Sequence, residues 1–215
     1  LSIFKSAIST AFVSFFYVAN KNITINNTNG KNITIDGANE NGRYMLTLNE
    51  PNSQAILVYQ ESGMFVMQNL RLVHVEDGQY MLMRIGEGGN YDHPKNVTVK
   101  LKNMDIESNT QYQYCLMATQ DITTTNGKFD IDMEDVVVKW TGDHTQNGRA
   151  FLRWGKDGDT TIQTVDISMT GCSIDLSETT GTQGFNVCSA VSGTIALADT
   201  DIITPGTKIY TNTGS

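Results

Sequence analysis

Apolar and polar residues alternate along short segments of the chain, and the alternation returns at a nearly fixed interval. Segments 97–108, 129–140, 165–176 and 193–204 align so that apolar residues stand two and four positions before a shared Asn, Asp or Gly, and again three positions after it. Alternation with period two is typical of a strand that buries one face. The pattern therefore predicts a repeated β unit. Its aligned turn residues, separated by 32, 34, 32, 36 and 28 positions, are Gly37, Asn69, Asn103, Asp135, Gly171 and Asp199.

The alternation changes phase at each of these turn residues, so we expect the chain to turn a corner there. Asn, Asp and Gly tolerate the left-handed backbone conformation that a tight bend requires. Further strands are predicted beyond most corners, at 80–86, 114–120, 149–155 and 184–190. A unit of about 30 residues with three short strands and no helical period is typical of a parallel β-solenoid coil. Propeller blades need four strands and about 40 to 50 residues, so these units are too short for them.

The N-terminal residues follow a different period. Apolar residues recur there at helical spacing, which predicts an amphipathic helix at 1–14 that caps the first coil and covers its open edge. We expect the coils to occupy 15–204 and a polar tail to occupy 205–215, within a single domain that spans 1–215. The apolar residues of the helical face are Ile3, Phe4, Ala7, Ile8, Ala11 and Phe12.

The chain opens with a predicted amphipathic helix and continues with repeated units that carry Asn or Asp at the corner. This order resembles the right-handed parallel β-helix superfamily of pectate lyases and phage tailspikes. The resemblance covers nearly the whole chain and implies an all-β fold, a right-handed parallel β-helix of about six coils with an N-terminal capping α-helix. It says little about activity, because this fold carries lyases, hydrolases, adhesins and virion spikes alike.

Composition and charge narrow the classes of partner. The chain has 215 residues, of which 39% are hydrophobic and 18% charged, with a formal net charge of −8. A net-acidic chain repels phosphate backbones, so nucleic-acid binding is disfavoured. No apolar run reaches the ~18 residues of a membrane span, and the N-terminus lacks the charged segment of a secretory signal. We therefore expect no membrane insertion.

The three cysteines, Cys115, Cys172 and Cys188, are too few for a disulfide framework and form no CxxC pair. They are expected to be free thiols. Cys172 falls in the apolar column of Met104 and Val136, which predicts a buried position in the core. No pattern indicates a cofactor.

The motifs of the best-known enzymes of the superfamily are missing. The polygalacturonase-like members carry separated NTD, DD, GHG and RIK motifs, and none of these occurs in the chain. The pectate-lyase-like members combine calcium-binding aspartates with an arginine–proline signature. None of the three prolines, Pro51, Pro94 and Pro205, has an adjacent arginine. Whether the chain is an enzyme is therefore uncertain, and the absence of these motifs favours a protein that is not.

Candidate catalytic carboxylates follow one predicted strand. Asp130, Asp132 and Glu134 are expected to point outward, because the apolar residues between them face the core. Glycosidases need two carboxyl groups ~5 to 9.5 Å apart, which neighbouring positions on such a face can provide. The alignment also places Lys100 beside Asp132 and Lys102 beside Glu134 on the preceding coil. Cross-strand ion pairs are the simpler interpretation of this arrangement.

Two predicted loops carry weaker candidates. Asp92 and His93 follow each other in the loop after 80–86 and are candidates for acid–base chemistry near neutral pH. An inert loop histidine is the favoured alternative. Asp157 and Asp159 are two positions apart, as in a calcium-binding loop, but the segment does not match the glycine and the distal glutamate of that loop. A polar turn is the better interpretation, and no metal site is expected.

The strands beyond the corners predict an aromatic and arginine-rich outer stripe. If Met81 and Met83 fill the core, alternation sends Leu82 and its aligned neighbours to the surface. Exposed aromatic and arginine residues are enriched at binding surfaces, including those for sugars. A register error of one residue would reverse this assignment. The predicted carbohydrate-binding or interface residues are Tyr80, Arg84, Tyr114, Arg149, Phe151 and Arg153.

These features lead to one leading hypothesis and two alternatives. The leading hypothesis is a tailspike-like or tail-fibre-like structural and receptor-binding module of a virion, a homotrimer that contacts a cell-surface polysaccharide. The first alternative is a polysaccharide depolymerase, either a glycoside hydrolase or a lyase, built on the same β-helix. The second is a secreted bacterial β-helix adhesin at the cell surface. The resemblance, the missing enzyme motifs and the predicted stripe motivate this order.

Overall fold

The computed structural model describes most of the repeated strands. The described residues are 11–12, 17–21, 23–27, 30–40, 42–49, 55–60, 62–74, 82–85, 96–108, 117–118, 127–141, 151–154, 163–178, 186–188, 191–203 and 211–212. All regular structure among them is β-strand. The all-β class that the alternation predicts is therefore confirmed.

Nineteen strands are found in the described residues. The first ten are β1 (Ala11–Phe12), β2 (Tyr17–Ala19), β3 (Ile23–Asn27), β4 (Ile33–Asp36), β5 (Ala38–Asn39), β6 (Gly42–Leu48), β7 (Ile56–Gln60), β8 (Ser62–His74), β9 (Met83–Ile85) and β10 (Asn96–Ser108). The others are β11 (Met117–Ala118), β12 (Gly127–Trp140), β13 (Leu152–Trp154), β14 (Gln163–Thr170), β15 (Ser173–Asp175), β16 (Asn186–Cys188), β17 (Val191–Ala198), β18 (Asp201–Ile203) and β19 (Thr211–Asn212).

The strands form two sheets. One has 12 strands and the central order β1-β4-β8-β10-β12-β14-β17, and the other has seven in the order β19-β16-β13-β11-β9-β7-β3. The pairs along both paths are parallel, whereas the short β5–β6 pair is antiparallel. This is a parallel β-solenoid of about three turns. The predicted total of six coils stays a prediction.

The core lies between the two sheets. Along β12 the inward side chains Phe129, Ile131 and Met133 are at most 2% exposed, while the residues between them reach the outer face. The parallel register sets Phe129 against Val97 on one neighbour and Val165 on the other. Each apolar position therefore continues into an apolar column across the coils, which is why the sequence alignment and the core coincide.

The predicted corners are found at the turn residues. Asn69, Asn103, Asp135 and Asp199 have φ angles of 54°, 50°, 53° and 47°, and Gly171 has 65°. A residue with a Cβ adopts this left-handed conformation at a steric cost, which Asn and Asp tolerate best and which glycine, without a Cβ, does not pay. The change in phase of the apolar pattern is thus a backbone bend within one long strand, or between two short ones.

Gly37 occupies the same column for a different reason. It is not among the residues with positive φ. A Cβ at this position would meet the Leu70 side chain and lie 2.6 Å from the Asn69 carbonyl oxygen. Glycine is needed here because the next coil packs directly against the backbone.

Side chains at the corner link successive coils. Asn103 Nδ2 donates a hydrogen bond to Asn69 Oδ1 at 2.7 Å, and Asn69 Nδ2 donates to Asp36 Oδ1 at 2.9 Å. These amides follow one another up the solenoid as a short ladder. The corner residues therefore set the bend and also tie three coils together.

The chain ends differ in part from the predictions. Residues 1–10 of the predicted capping helix lie outside the described residues. Ala11–Phe12 form a strand that pairs with Ile35–Asp36, so the prediction of a helix through residue 14 is wrong at these two positions. Parallel pairing with the next coil decides this local conformation over helical periodicity. Within the predicted tail, Thr211–Asn212 pair with Val187–Cys188.

A membrane-spanning helix, which needs both length and a strongly apolar sequence, is absent from the described part of the chain.

Candidate functional site

A shallow open groove lies on the outer face of the larger sheet. It has a volume of about 450 Å³, which falls in the ~300 to 1,000 Å³ range of ligand sites. The groove crosses β8, β10, β12, β14 and β17 and therefore runs along the solenoid rather than along a strand. Its lining residues are Met64, Thr98, Lys100, Asp130, Asp132, Asp166, Ile167, Ser168, Thr194 and Ala196.

The parallel register arranges the lining in two rows. The first row continues from Met64 through Thr98, Asp130 and Asp166 to Thr194. The second row runs from Lys100 through Asp132 and Ser168 to Ala196. Strands alternate their side chains, and the inward neighbours hold these polar residues on the outer face. Neighbouring strands lie about 4.8 Å apart, so each row offers a functional group at this interval.

Asp132 lies at the centre of the second row. Lys100 Nζ is 2.9 Å from Asp132 Oδ2, and Ser168 Oγ donates a hydrogen bond to Oδ1 at 2.8 Å. Partial burial alone would raise the pKa of Asp132, but the hydrogen bonds from Lys100 and Ser168 and the Lys100 charge outweigh it. The pKa therefore lies below the ordinary value of 3.8, and the carboxylate is ionised at neutral pH.

The first row holds two carboxylates on neighbouring strands. Thr194 donates to Asp166 Oδ1 from its hydroxyl at 2.8 Å and from its backbone amide at 3.0 Å. These bonds hold the pKa of Asp166 below 3.8. Lys128 Nζ lies 2.9 Å from Asp130 Oδ1 and 3.5 Å from Asp166 Oδ2. One ammonium group therefore bridges both carboxylates. The hydrogen bond to Asp130 also raises the pKa of Lys128.

The protonation states decide which chemistry the groove supports. A general acid needs a carboxyl group that keeps its proton near neutral pH, and such groups have raised pKa values. Asp132 and Asp166 are shifted in the opposite direction. Ionised carboxylates are strong hydrogen-bond acceptors. The groove is thus suited to hold a ligand that donates hydrogen bonds. No group of three or more potential metal ligands occurs within the described ranges.

The sequence-based candidates on β12 lie where the alternation predicts. Asp130 and Asp132 line the groove, and Glu134 is on the same outer face beyond it. The predicted cross-strand ion pairs are confirmed, with Lys100 and Asp132 at 2.9 Å and Lys102 and Glu134 at 2.8 Å. These exposed pairs each contribute at most modestly to stability.

Asp166 was missed by the sequence analysis, although its signal is present. It occupies the outward position of segment 165–176 that corresponds to Asp130 in segment 129–140. A comparison of the outward residues at the same aligned position in all coils would have identified Asp130 and Asp166 as neighbours. Carboxylates that become neighbours only through stacking do not form a compact motif.

The predicted outer stripe is described only in part. Arg84 and Arg153 occupy one register position of the smaller sheet, with Ala118 between them. Their role stays a prediction. The other three untested members of the stripe lie outside the described residues and are Tyr80, Tyr114 and Arg149.

The outward placement of Phe151 is wrong, as is that of Leu82. Both side chains are 0% exposed, and Phe151 contacts Trp140 edge-on with ring centroids 6.3 Å apart. Each residue comes directly before a strand of the smaller sheet, next to Leu152 or Met83, which is also buried. Two successive residues face inward where the chain turns into this sheet. Strict alternation therefore cannot be extended across that corner.

The remaining candidates have mixed outcomes. Cys172 is confirmed as a core residue at 3% exposure, and burial raises the pKa of its thiol. The loop candidates Asp92, His93, Asp157 and Asp159 lie outside the described residues and stay predictions.

Comparison with known proteins does not assign the chain to a family. No protein-family model, no curated protein and no solved structure matches it. The class is therefore defined by the fold and the groove themselves, as an all-β parallel solenoid with a polar groove across its outer face.

Proposed function

We propose that this solenoid is a recognition module that binds a cell-surface polysaccharide along the groove. The observation that carries the proposal is the pair of rows in the groove, whose polar side chains span four strands in the first row and three in the second and repeat at the spacing of the coils. A site of this shape suits an extended chain with functional groups at regular intervals. Sugars present such groups as hydroxyls, which donate hydrogen bonds to ionised carboxylates.

The charges in the groove favour an uncharged polysaccharide. Asp130, Asp132 and Asp166 supply acceptors, and the two lysines beside them are already paired with these carboxylates at 2.9 Å. An acidic polysaccharide would meet like charges and would have to break those pairs, which is costly. An uncharged polyhydroxylated chain can use the remaining lone pairs of the same carboxylates without such a loss.

We further propose the setting in which the module works. It is a right-handed β-helix of about six coils with a capped N-terminus, which forms a homotrimer in a virion appendage such as a tailspike or tail fibre and recognises the host cell. The regular turn residues from Gly37 to Asp199 and the resemblance in the sequence support this extension. Native mass spectrometry tests the assembly, and a protein that is monomeric at micromolar concentration would contradict it.

A depolymerase that uses the same groove is the second candidate. Asp130 and Asp166 are direct register partners on adjacent strands, and backbones about 4.8 Å apart suit the spacing of a retaining carboxylate pair. The lowered pKa of Asp166 suits an ionised nucleophile but not a general acid, so the acid would have to be Asp130. Lys128 holds the Asp130 carboxylate in an ion pair at 2.9 Å, which argues against that role. Binding without cleavage is therefore the proposed activity.

A binding experiment separates these candidates. The wild type and the Asp166→Asn and Asp132→Asn variants are tested against immobilised neutral and acidic polysaccharides, and soluble reducing ends are measured in parallel. We expect neutral chains to be retained by the wild type, at least tenfold weaker retention by both variants, and no release of reducing ends. Glu134→Gln is the matched control, because Glu134 shares the strand and the face but does not line the groove.

Two outcomes would contradict the proposal. Equal retention by the wild type and both groove variants would place binding elsewhere. Release of reducing ends that is lost in Asp166→Asn would establish the depolymerase.

A secreted adhesin is the third candidate and would use the same groove. The neighbouring genes and the presence of a signal peptide upstream would distinguish an adhesin from a virion protein.

A further inference from the structure

A histidine lies in the apolar core, apart from the groove. His74 is the last residue of β8 and is 1% exposed. The register places it between Leu48 on β6 and Ser108 on β10, and Trp140 follows on β12. All four side chains are buried. Histidine thus takes a buried position that Leu48 occupies on one neighbouring coil and the small Ser108 on the other.

The imidazole has few polar contacts. Its Nδ1 lies 3.4 Å from Ser108 Oγ, which is at the long limit of a hydrogen bond. Its Nε2 is buried and has no hydrogen-bond partner among the described side chains and backbone groups. A buried nitrogen without a partner costs free energy, and the cost is far larger if the ring is charged.

No described ion pair faces this imidazole. On β8 and β10, Arg71 and Glu107 pair with each other at 2.7 Å on the outer face. Arg43 on β6 pairs with Asp105 on β10 at 3.1 Å, also with partly exposed side chains. Desolvation is accordingly the one resolved cause that lowers the pKa of His74, from 6.5 to about 4. Among the described residues, no carboxylate lies against the ring to compensate a proton on it.

We propose that His74 is an acid-responsive element of the solenoid, whose protonation favours opening of the strand ends that bury it. The ends of β8, β10 and β12 meet at this column, so separating them would expose the imidazole to water. The backbone hydrogen bond from Thr141 N to the Ser108 carbonyl, at 2.8 Å, lies at the same end. The amide ladder at Asn69 and Asn103 is five residues away along each strand and does not need to break first.

The direction of the effect follows from proton linkage. The unfolded chain takes up a proton at His74 near pH 6.5, whereas the folded protein does so only near pH 4. Between these values the unfolded state binds more protons, so stability falls as the pH falls. Between pH 7.5 and 4.5 the unfolding equilibrium constant should rise roughly 70-fold because of this residue alone.

Urea unfolding of the wild type and His74→Leu at pH 7.5 and 4.5 tests the proposal. Leucine is the residue at the same position of the preceding coil, Leu48, and takes up no proton, so the variant should lack roughly 70-fold of the acid-induced rise. His93→Leu is the matched control, a change at another histidine that should keep the full rise. A His74→Leu variant that destabilises in acid as much as the wild type would overturn the proposal.

A second measurement decides the matter if His74→Leu does not fold. The imidazole protons of the folded wild type are titrated by NMR, with the three histidines assigned through variants of His93 and His144. We expect the His74 signal to remain that of a neutral ring down to about pH 4. A midpoint near 6.5 in the folded protein would refute the proposed response.

Discussion

Replacement of Asn103 tests whether the left-handed corner explains the repeated Asn, Asp and Gly. Asn103 has φ 50° within β10, and its side chain donates to Asn69 at 2.7 Å. Asn103→Ala and Asn103→Gly both remove this hydrogen bond. They differ at the backbone, because alanine places a Cβ in the left-handed region without a polar group that relieves it, whereas glycine does not.

The expected magnitudes can be worked out from these losses. The ladder hydrogen bond contributes about 0.5–1.5 kcal/mol, and the left-handed conformation costs alanine about 1–2 kcal/mol. Asn103→Ala should therefore lower the free energy of unfolding by about 2.5 kcal/mol. Asn103→Gly should lower it by about 1.7 kcal/mol, since glycine adds only an entropic cost of about 0.5–1 kcal/mol.

The same two substitutions at a position without a left-handed backbone serve as the control. Val137 is exposed in an ordinary extended part of β12, where glycine should be less stable than alanine by about 0.5–1 kcal/mol. The order of alanine and glycine should thus be reversed between the two positions. Urea unfolding followed by tryptophan fluorescence, to which buried Trp140 contributes, measures all four variants. If alanine is more stable than glycine at Asn103 as well, the corner explanation is refuted.

Three further predictions address the core and the groove. Phe151→Ala should lower the free energy of unfolding by about 3–5 kcal/mol in urea, and a loss under 1 kcal/mol would restore the outward placement. With the other two cysteines replaced by serine, Cys172 should react with a maleimide only in denaturant; rapid labelling of the folded protein would contradict its burial. The lowered pKa of Asp132 contributes stability above pH 3.8 that is lost as the pH falls further. Asp132→Asn should therefore flatten the acid limb of the stability profile, and an unchanged limb would show that the Lys100 pair is not formed in solution.

Much of the fold could be predicted from local patterns. The inward positions of β12, the turn residues from Asn69 onward and the ion pair between Lys100 and Asp132 all follow from alternation and from one alignment. The candidate groove could be predicted only in part, because Asp166 joins Asp130 through stacking of segments 36 positions apart. Phe151 was misplaced because it and Leu152 are successive residues that both face inward, which strict alternation does not allow.

The alternation, the period and the places where the backbone must bend all follow from local patterns in the chain, because each depends on the steric preferences of a few neighbouring residues. Tertiary structure decided which side chains meet. The register opposes Glu107 to Lys139, yet Glu107 pairs with Arg71, while Lys139 pairs with Glu178 at 2.9 Å. Stacking likewise buried His74 between Leu48 and Ser108. Such contacts join residues 26 to 39 positions apart, so their free energy depends on how the coils pack and not on any single repeat.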